Sequence, residues 1–168
     1  MPPTVTADIQ FSVTGQHSSV LDLGTVALPF ALSAALRLTT GTGASMADRV
    51  FTDTRTLLAS ATEDLDLAAV LVDALGVAIT FAKIKAIFIK AAAANTNDVQ
   101  VTRPASNGVP LFLAAGDGML VKPGGFLAWA LPGTGITVTA ATGDLLTFTN
   151  SAGGTPVTYD VVIIGTSA

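Results

Sequence analysis

The sequence predicts an all-β protein, an antiparallel β-sandwich of jelly-roll-like form with short helical turns at most. Two observations carry this. Thr, Val, Ala, Leu and Gly dominate, and short apolar-alternating runs are cut by Gly, Asn, Asp and Pro, the pattern of strands joined by turns. From Val77 onward such runs recur roughly every 8–12 residues, the spacing of a sandwich or jelly roll. The 168 residues suit one domain spanning 1–168. GTGAS at 41–45 is the best linker candidate, so residues 1–45 form a candidate N-terminal arm or subdomain.

Taken in order, residues 5–13 alternate, with Ile9, Phe11 and Val13 on one side and Asp8, Gln10 and Ser12 on the other. GQHSS at 15–19 reads as a turn. Residues 31–39 suit a strand or a short helix, and Pro29 does not decide between them. GTGAS reads as a flexible loop. In residues 60–76, Ser60 with Glu63 fits a helix capping box and Gly76 a C-cap, but residues 63–67 alternate at period two. We favour a strand through Leu67 and then a turn or one helical turn near residues 72–75.

The run ITFAKIKAIFIK, 79–90, has no clean apolar stripe as a helix. As a strand it sets Thr80, Ala82, Ile84, Ala86 and Phe88 on a core face. The opposite face then carries Ile79, Phe81, Lys83, Lys85, Ile87 and Ile89, wet at the two lysines and apolar at both ends. Something must cover those ends, a loop or a neighbouring subunit. Val99 and Val101 make a short strand. Residues 110–113 are a weak strand, and stronger ones follow at 119–121, 126–131, 136–140, 145–150 and 157–164.

Half the residues are apolar and 12% are charged, against about 25% in an ordinary soluble domain. Such a chain has too few charges to cover its own surface, so part of that surface is expected to lie against other subunits. A net charge of −4 argues against nucleic acid as a partner. Cysteine is absent, which removes disulfides and thiolate metal sites. The first residues lack a basic segment followed by an apolar core and do not read as a secretory signal. Residues 67–82 are interrupted by Asp73 and Gly76 and fall short of the ~20 residues that cross a membrane, so no membrane partner is expected.

Chemistry is sparse. His17 is the single histidine, and no GxSxG or comparable signature surrounds a serine. The glycine clusters fit neither GxGxxG nor GxxxxGK[ST] and read as turns. Glu63, Asp64 and Asp66 are the densest carboxylates. Their spacing matches no EF-hand, and a solvated strand edge explains them better than a metal site does, so no metal is assigned there. We expect no catalytic residue, no cofactor and no assigned metal site. Trp129 with Phe126 suits a core or interface position better than a sugar platform. Ile87, Ile89, Phe126 and Trp129 are the candidate interface or core anchors, and Lys83 and Lys85 the candidate polar contacts.

The runs ADRVFTDTRTLLASATEDLDLAAVLVDALGVAITFAKIKAIFIK, PLFLAAGDGMLVKPGGFLAWALP and ITVTAATGDLLTFTNSAGGTPVTYDVVIIGTSA resemble short virion proteins encoded among the structural genes of tailed bacteriophages. The resemblance covers the chain from about residue 5 to its end and rests on overall pattern. It implies a β-rich module on the particle, most like a capsid decoration or cement protein, with itself (a trimer favoured) and the major capsid protein as partners and the capsid surface as its place. Tail, baseplate and head-fibre components are the nearest alternatives, and a host-surface carbohydrate-binding module is a further one. The resemblance carries no catalytic residues.

Overall fold

Alternation of β-branched, aromatic and small polar residues produces strands throughout the computed structural model, which describes residues 4–69 and 71–168. In chain order these are β1 (Ala7–Leu21), β2 (Gly24–Thr40), β3 (Met46–Ala47), β4 (Arg49–Leu57), β5 (Thr62–Asp66), β6 (Leu71–Val72) and β7 (Ala78–Ile79). They are followed by β8 (Lys83–Ala91), β9 (Val99–Thr102), β10 (Gly118–Val121), β11 (Phe126–Ala130), β12 (Ile136–Thr137), β13 (Leu145–Asn150) and β14 (Val157–Thr166). No helix occurs among the described residues, so the all-β, antiparallel sandwich class is observed.

Two sheets make the body. One runs β11-β8-β14-β4, with β12 beside the start of β8; the other runs β10-β9-β13-β5. Their inner faces meet in one apolar core. Ile87, Ile89, Val161 and Ile163 come from the first sheet, and Leu65, Val99, Val101, Leu146 and Phe148 from the second. Phe148 stacks on Tyr159 across the gap, with ring centroids 4.6 Å apart. The pairing is nested: β4 pairs with β14, β5 with β13, β8 with β11 and β9 with β10.

The stretch ITFAKIKAIFIK corrects the expected faces. Ile79 belongs to β7, and β8 begins at Lys83. Against β14, Ile164 partners Ala86 and Gly165 partners Ile84, so Lys85 is left without a register partner. This bulge shifts the alternation by one residue. Ile84, Ile87 and Ile89 all enter the core, and Ala86 and Phe88 point outward. Glycine is required opposite the bulge: a Cβ on Gly165 would lie 2.0 Å from the Lys83 carbonyl oxygen and 2.7 Å from the Phe81 ring.

Other expectations also move. GQHSS is not a turn; it continues β1, and the chain reverses at Asp22 and Leu23. Residues 31–39 are strand, inside a longer β2. Residues 110–113 form turns and bends, and the strand expected over 136–140 covers only Ile136–Thr137. The GTGAS loop is tied by hydrogen bonds from Thr39 N to Ser45 O (3.2 Å), Gly41 N to Ala47 O (3.1 Å) and Ser45 N to Pro132 O (2.8 Å). Residues 73–77 turn about Asp73, whose Oδ1 accepts from Leu75 N (2.9 Å) and Val77 N (2.8 Å).

Candidate assembly surface

The first two strands form a hairpin far longer than the body strands. In its register, Ile9 faces Leu36, Phe11 faces Ala34, Val13 faces Leu32, Gly15 faces Phe30, His17 faces Leu28 and Ser19 faces Val26. Directly opposed residues share a face. One face of the ribbon is therefore apolar nearly end to end, broken mainly by His17 and Ser19. The other carries Asp8, Arg37, Gln10, Ser12, Ser33, Thr14, Gln16 and Ser18, and is polar with small residues between.

At the base, the apolar face is seated. Leu38 and Ala47 are fully buried and pack with Ala86 and Ile164 on the outside of the first sheet, and Val5, Ala7, Ile9, Leu36, Val50 and Val162 flank them. Thr40 Oγ1 donates to Val5 O and accepts from Val5 N, both at 2.9 Å. Asp48 pins the chain just beyond β3, accepting from Ser167 N at 2.8 Å.

Past the base the same face runs free. Val13, Leu21, Val26, Leu28, Phe30 and Leu32 are 53–76% exposed, and Leu23 at the turn is fully exposed. The ten residues from Ser12 to Leu21 reach ~34 Å at about 3.4 Å per residue. A two-stranded ribbon is marginal in water by itself. Covering one such apolar side chain fully contributes about 1.5–3 kcal/mol.

Where the ribbon leaves the sheet, an apolar cleft of about 590 Å³ opens between the two. Ile9, Phe11 and Val13 line it on the arm, with Asp8, Gln10 and Ser12 between them, and Ala86, Phe88, Phe126, Val162 and Ile164 line it on the sheet. Phe88 and Phe126 stack at 5.7 Å, and Phe126 is 65% exposed. Its volume is that of a site for an apolar group.

The expected anchors separate in space. Phe126 lies on the cleft. Trp129 is half-buried against the core, 5.4 Å from the Phe112 ring, and reaches the cleft margin. Ile87 and Ile89 are core residues and offer no side chain to a partner. Lys85 is not at the surface: it is 1% exposed and donates to the Gly133 carbonyl. Burial, and secondarily the Lys83 charge, holds its ammonium below the ordinary range. Lys83 is half-buried at the start of β8, and His17 is exposed on the apolar face of the arm.

The three carboxylates of β5 point to different tasks. Glu63 takes three hydrogen bonds from Arg55, 3.0 Å from Nε to each carboxylate oxygen and 2.6 Å from Nη2, and one from the Tyr159 hydroxyl at 2.6 Å. Asp64 accepts from Thr147 Oγ1, and Asp66 caps the turn by accepting from Ala68 N and Ala69 N. Among the described residues no group of three His, Cys, Asp or Glu is placed to hold a metal ion.

Leu28 and Phe30 had no part in the sequence-based expectations, and Leu32 entered only within the 31–39 run, though the signal is there. Val26, Leu28, Phe30, Leu32, Leu36 and Leu38 occupy even positions through TVALPFALSAALRL, a period-two series obscured by Pro29 and the alanines. No family model, curated protein or solved structure matches the chain.

Proposed function

We propose that this protein is a non-enzymatic component of a tailed-phage particle, one that decorates or cements the capsid as a homo-oligomer. The observation that carries the reading is the arm: an apolar face that docks at its base and then continues, uncovered, for ten residues. A surface of that kind is a site for protein contact. The nested strand pairing supports the same reading. We read that nesting as jelly-roll-like, one long hairpin rolled into two sheets, an architecture found in many viral capsid domains; that part of the argument is analogy of fold. The resemblance to phage virion proteins adds to both. Cement proteins act by adding contact area at joints, and many copies turn modest contacts into a strong shell when geometry lets them engage together.

Immunogold labelling of intact particles of the encoding phage, with an antibody to this chain, tests the reading. Label over the head is expected. Label confined to the tail would move the protein to the tail, baseplate or fibre, and particles without label would overturn the assignment.

A further inference from the structure

The base of the arm forms a second layer on the outer face of the first sheet, and that layer stops short of the sheet's edge. Its seat covers Ala86 of β8, Val162 and Ile164 of β14 and Val50 of β4. Among the described residues none of β11 takes part, although β11 pairs with β8 and ends the sheet. The uncovered strip is where the cleft lies. On the arm side only β1 lines it, from Asp8 to Val13. Ile9, Phe11 and Val13 belong to the apolar face and Asp8, Gln10 and Ser12 to the opposite one, so the cleft runs along the edge of β1. That edge is open, because β1 ends its own sheet, in the order β1-β2-β3. Alternate residues of an end strand present N–H and C=O groups that no neighbour pairs.

We propose that the slot beside β1 takes an extended strand from a partner protein, with bulky apolar side chains at alternate positions. A strand added to the edge of β1 lies about 4.8 Å farther out, and stacked layers stand about 10 Å apart, a depth that inward-pointing side chains fill. Its backbone closes the β1 edge, and every second side chain enters the cleft against Phe88 and Phe126, which are 37% and 65% exposed. In strand addition of this kind, main-chain bonds give affinity and pockets for alternate side chains give selectivity. Continuity supports it, since the added strand extends the layer that Ile9 and Leu36 already seat. A ribbon of two strands is marginal alone, and a third strand over an apolar layer is what it lacks. A second copy supplies such a strand poorly. Past Val13, β1 offers Gly15, His17 and Ser19 on its apolar face. In β2, Pro29 interrupts the series Val26, Leu28, Phe30 and Leu32 and has no N–H to give. This contact is separate from those between copies and does not depend on where on a particle the protein sits.

Trp129, the single tryptophan, stands at the cleft margin, and its emission reports occupancy. The probes are short acetylated, amidated peptides that alternate Thr with Val, Leu or Phe, and a matched set N-methylated at every residue, which has no N–H to donate. The unmodified peptides should shift the Trp129 emission to saturation, and N-methylation should weaken binding by about tenfold or more. Phe126→Asp alters an exposed side chain, so it should keep the wild-type unfolding transition and weaken peptide binding by about tenfold or more. Phe126→Ala, the milder change, should weaken it less. Three results would overturn the proposal. One is no emission change with any unmodified peptide. Another is equal binding of the N-methylated set, which means an apolar pocket without strand pairing. The third is self-association that Phe126→Asp abolishes, which makes a second copy the occupant. Head-labelled particles without peptide binding would sustain the capsid reading and remove the slot, and peptide binding with unlabelled particles would do the reverse.

Discussion

The Arg55–Glu63–Tyr159 cluster joins the two sheets at the level of single residues. Arg55 and Tyr159 belong to one sheet and Glu63 to the other. Burial pushes the Glu63 carboxyl up, but the hydrogen bonds from Arg55 and Tyr159 and the Arg55 charge outweigh it, and the net shift is below its ordinary 4.5. Burial, reinforced by Glu63, raises the Tyr159 hydroxyl well above its usual range, so it stays a donor. Glu63→Gln should cost about 1 kcal/mol in urea unfolding at neutral pH, because it weakens charge-assisted bonds at a half-buried, partly screened site. The sign of the pH effect follows from a folded-state value lying below the unfolded one. The Glu63 contribution is present above pH 4.5 and is lost as pH falls through the folded value. The stability gap between wild type and Glu63→Gln should therefore narrow in acid; a gap that widens would contradict the cluster. Sequence showed the three carboxylates together, and it gave no sign that Glu63 faces a partner 96 residues away in Tyr159.

Among the elements, the arm and β8 show what alternation reveals and what it hides. The regular body strands were readable because their turn signals were conventional: Asp117-Gly118 at the start of β10, Pro123-Gly124-Gly125 before β11 and Gly143-Asp144 before β13. The arm was readable only in part. Gly15 inside β1 suggested a turn, yet a Cβ there would lie 2.3 Å from the Phe30 ring. The ring of the opposed strand covers the glycine, so the strand continues. In β8, the bulge at Lys85 inverts the faces that simple alternation assigns, and its cause lies in the partner strand at Gly165. A sequence window on β8 does not contain that cause. The two ends of the arm should answer differently to substitution. Leu38→Ala, at the buried base, should cost about 2–5 kcal/mol and release the arm to limited proteolysis. Leu28→Ser, on the free segment, should leave dilute-solution stability within about 0.5 kcal/mol and weaken assembly. Equal effects in urea unfolding would contradict the division into seat and overhang.

As a whole molecule, the protein has a closed apolar core and an exterior with uncovered apolar residues. The low charge content led to the expectation of surface buried against other copies; exposed apolar residues run along the arm and onto Phe88 and Phe126 beside it, and others, among them Leu58, Leu75, Leu113 and Leu120, are spread over the body. The apolar residues of β8 that were expected to need cover, Ile87 and Ile89, are covered within the chain by the second sheet, and the exposed apolar residues beside the arm are Phe88 and Phe126 instead. The mass of the intact chain in solution is the most direct test, measured by light scattering across a dilution series. The account predicts a whole-number multiple of 16.9 kDa at micromolar concentration, dissociating on dilution. A lone 16.9 kDa species at every concentration would contradict it.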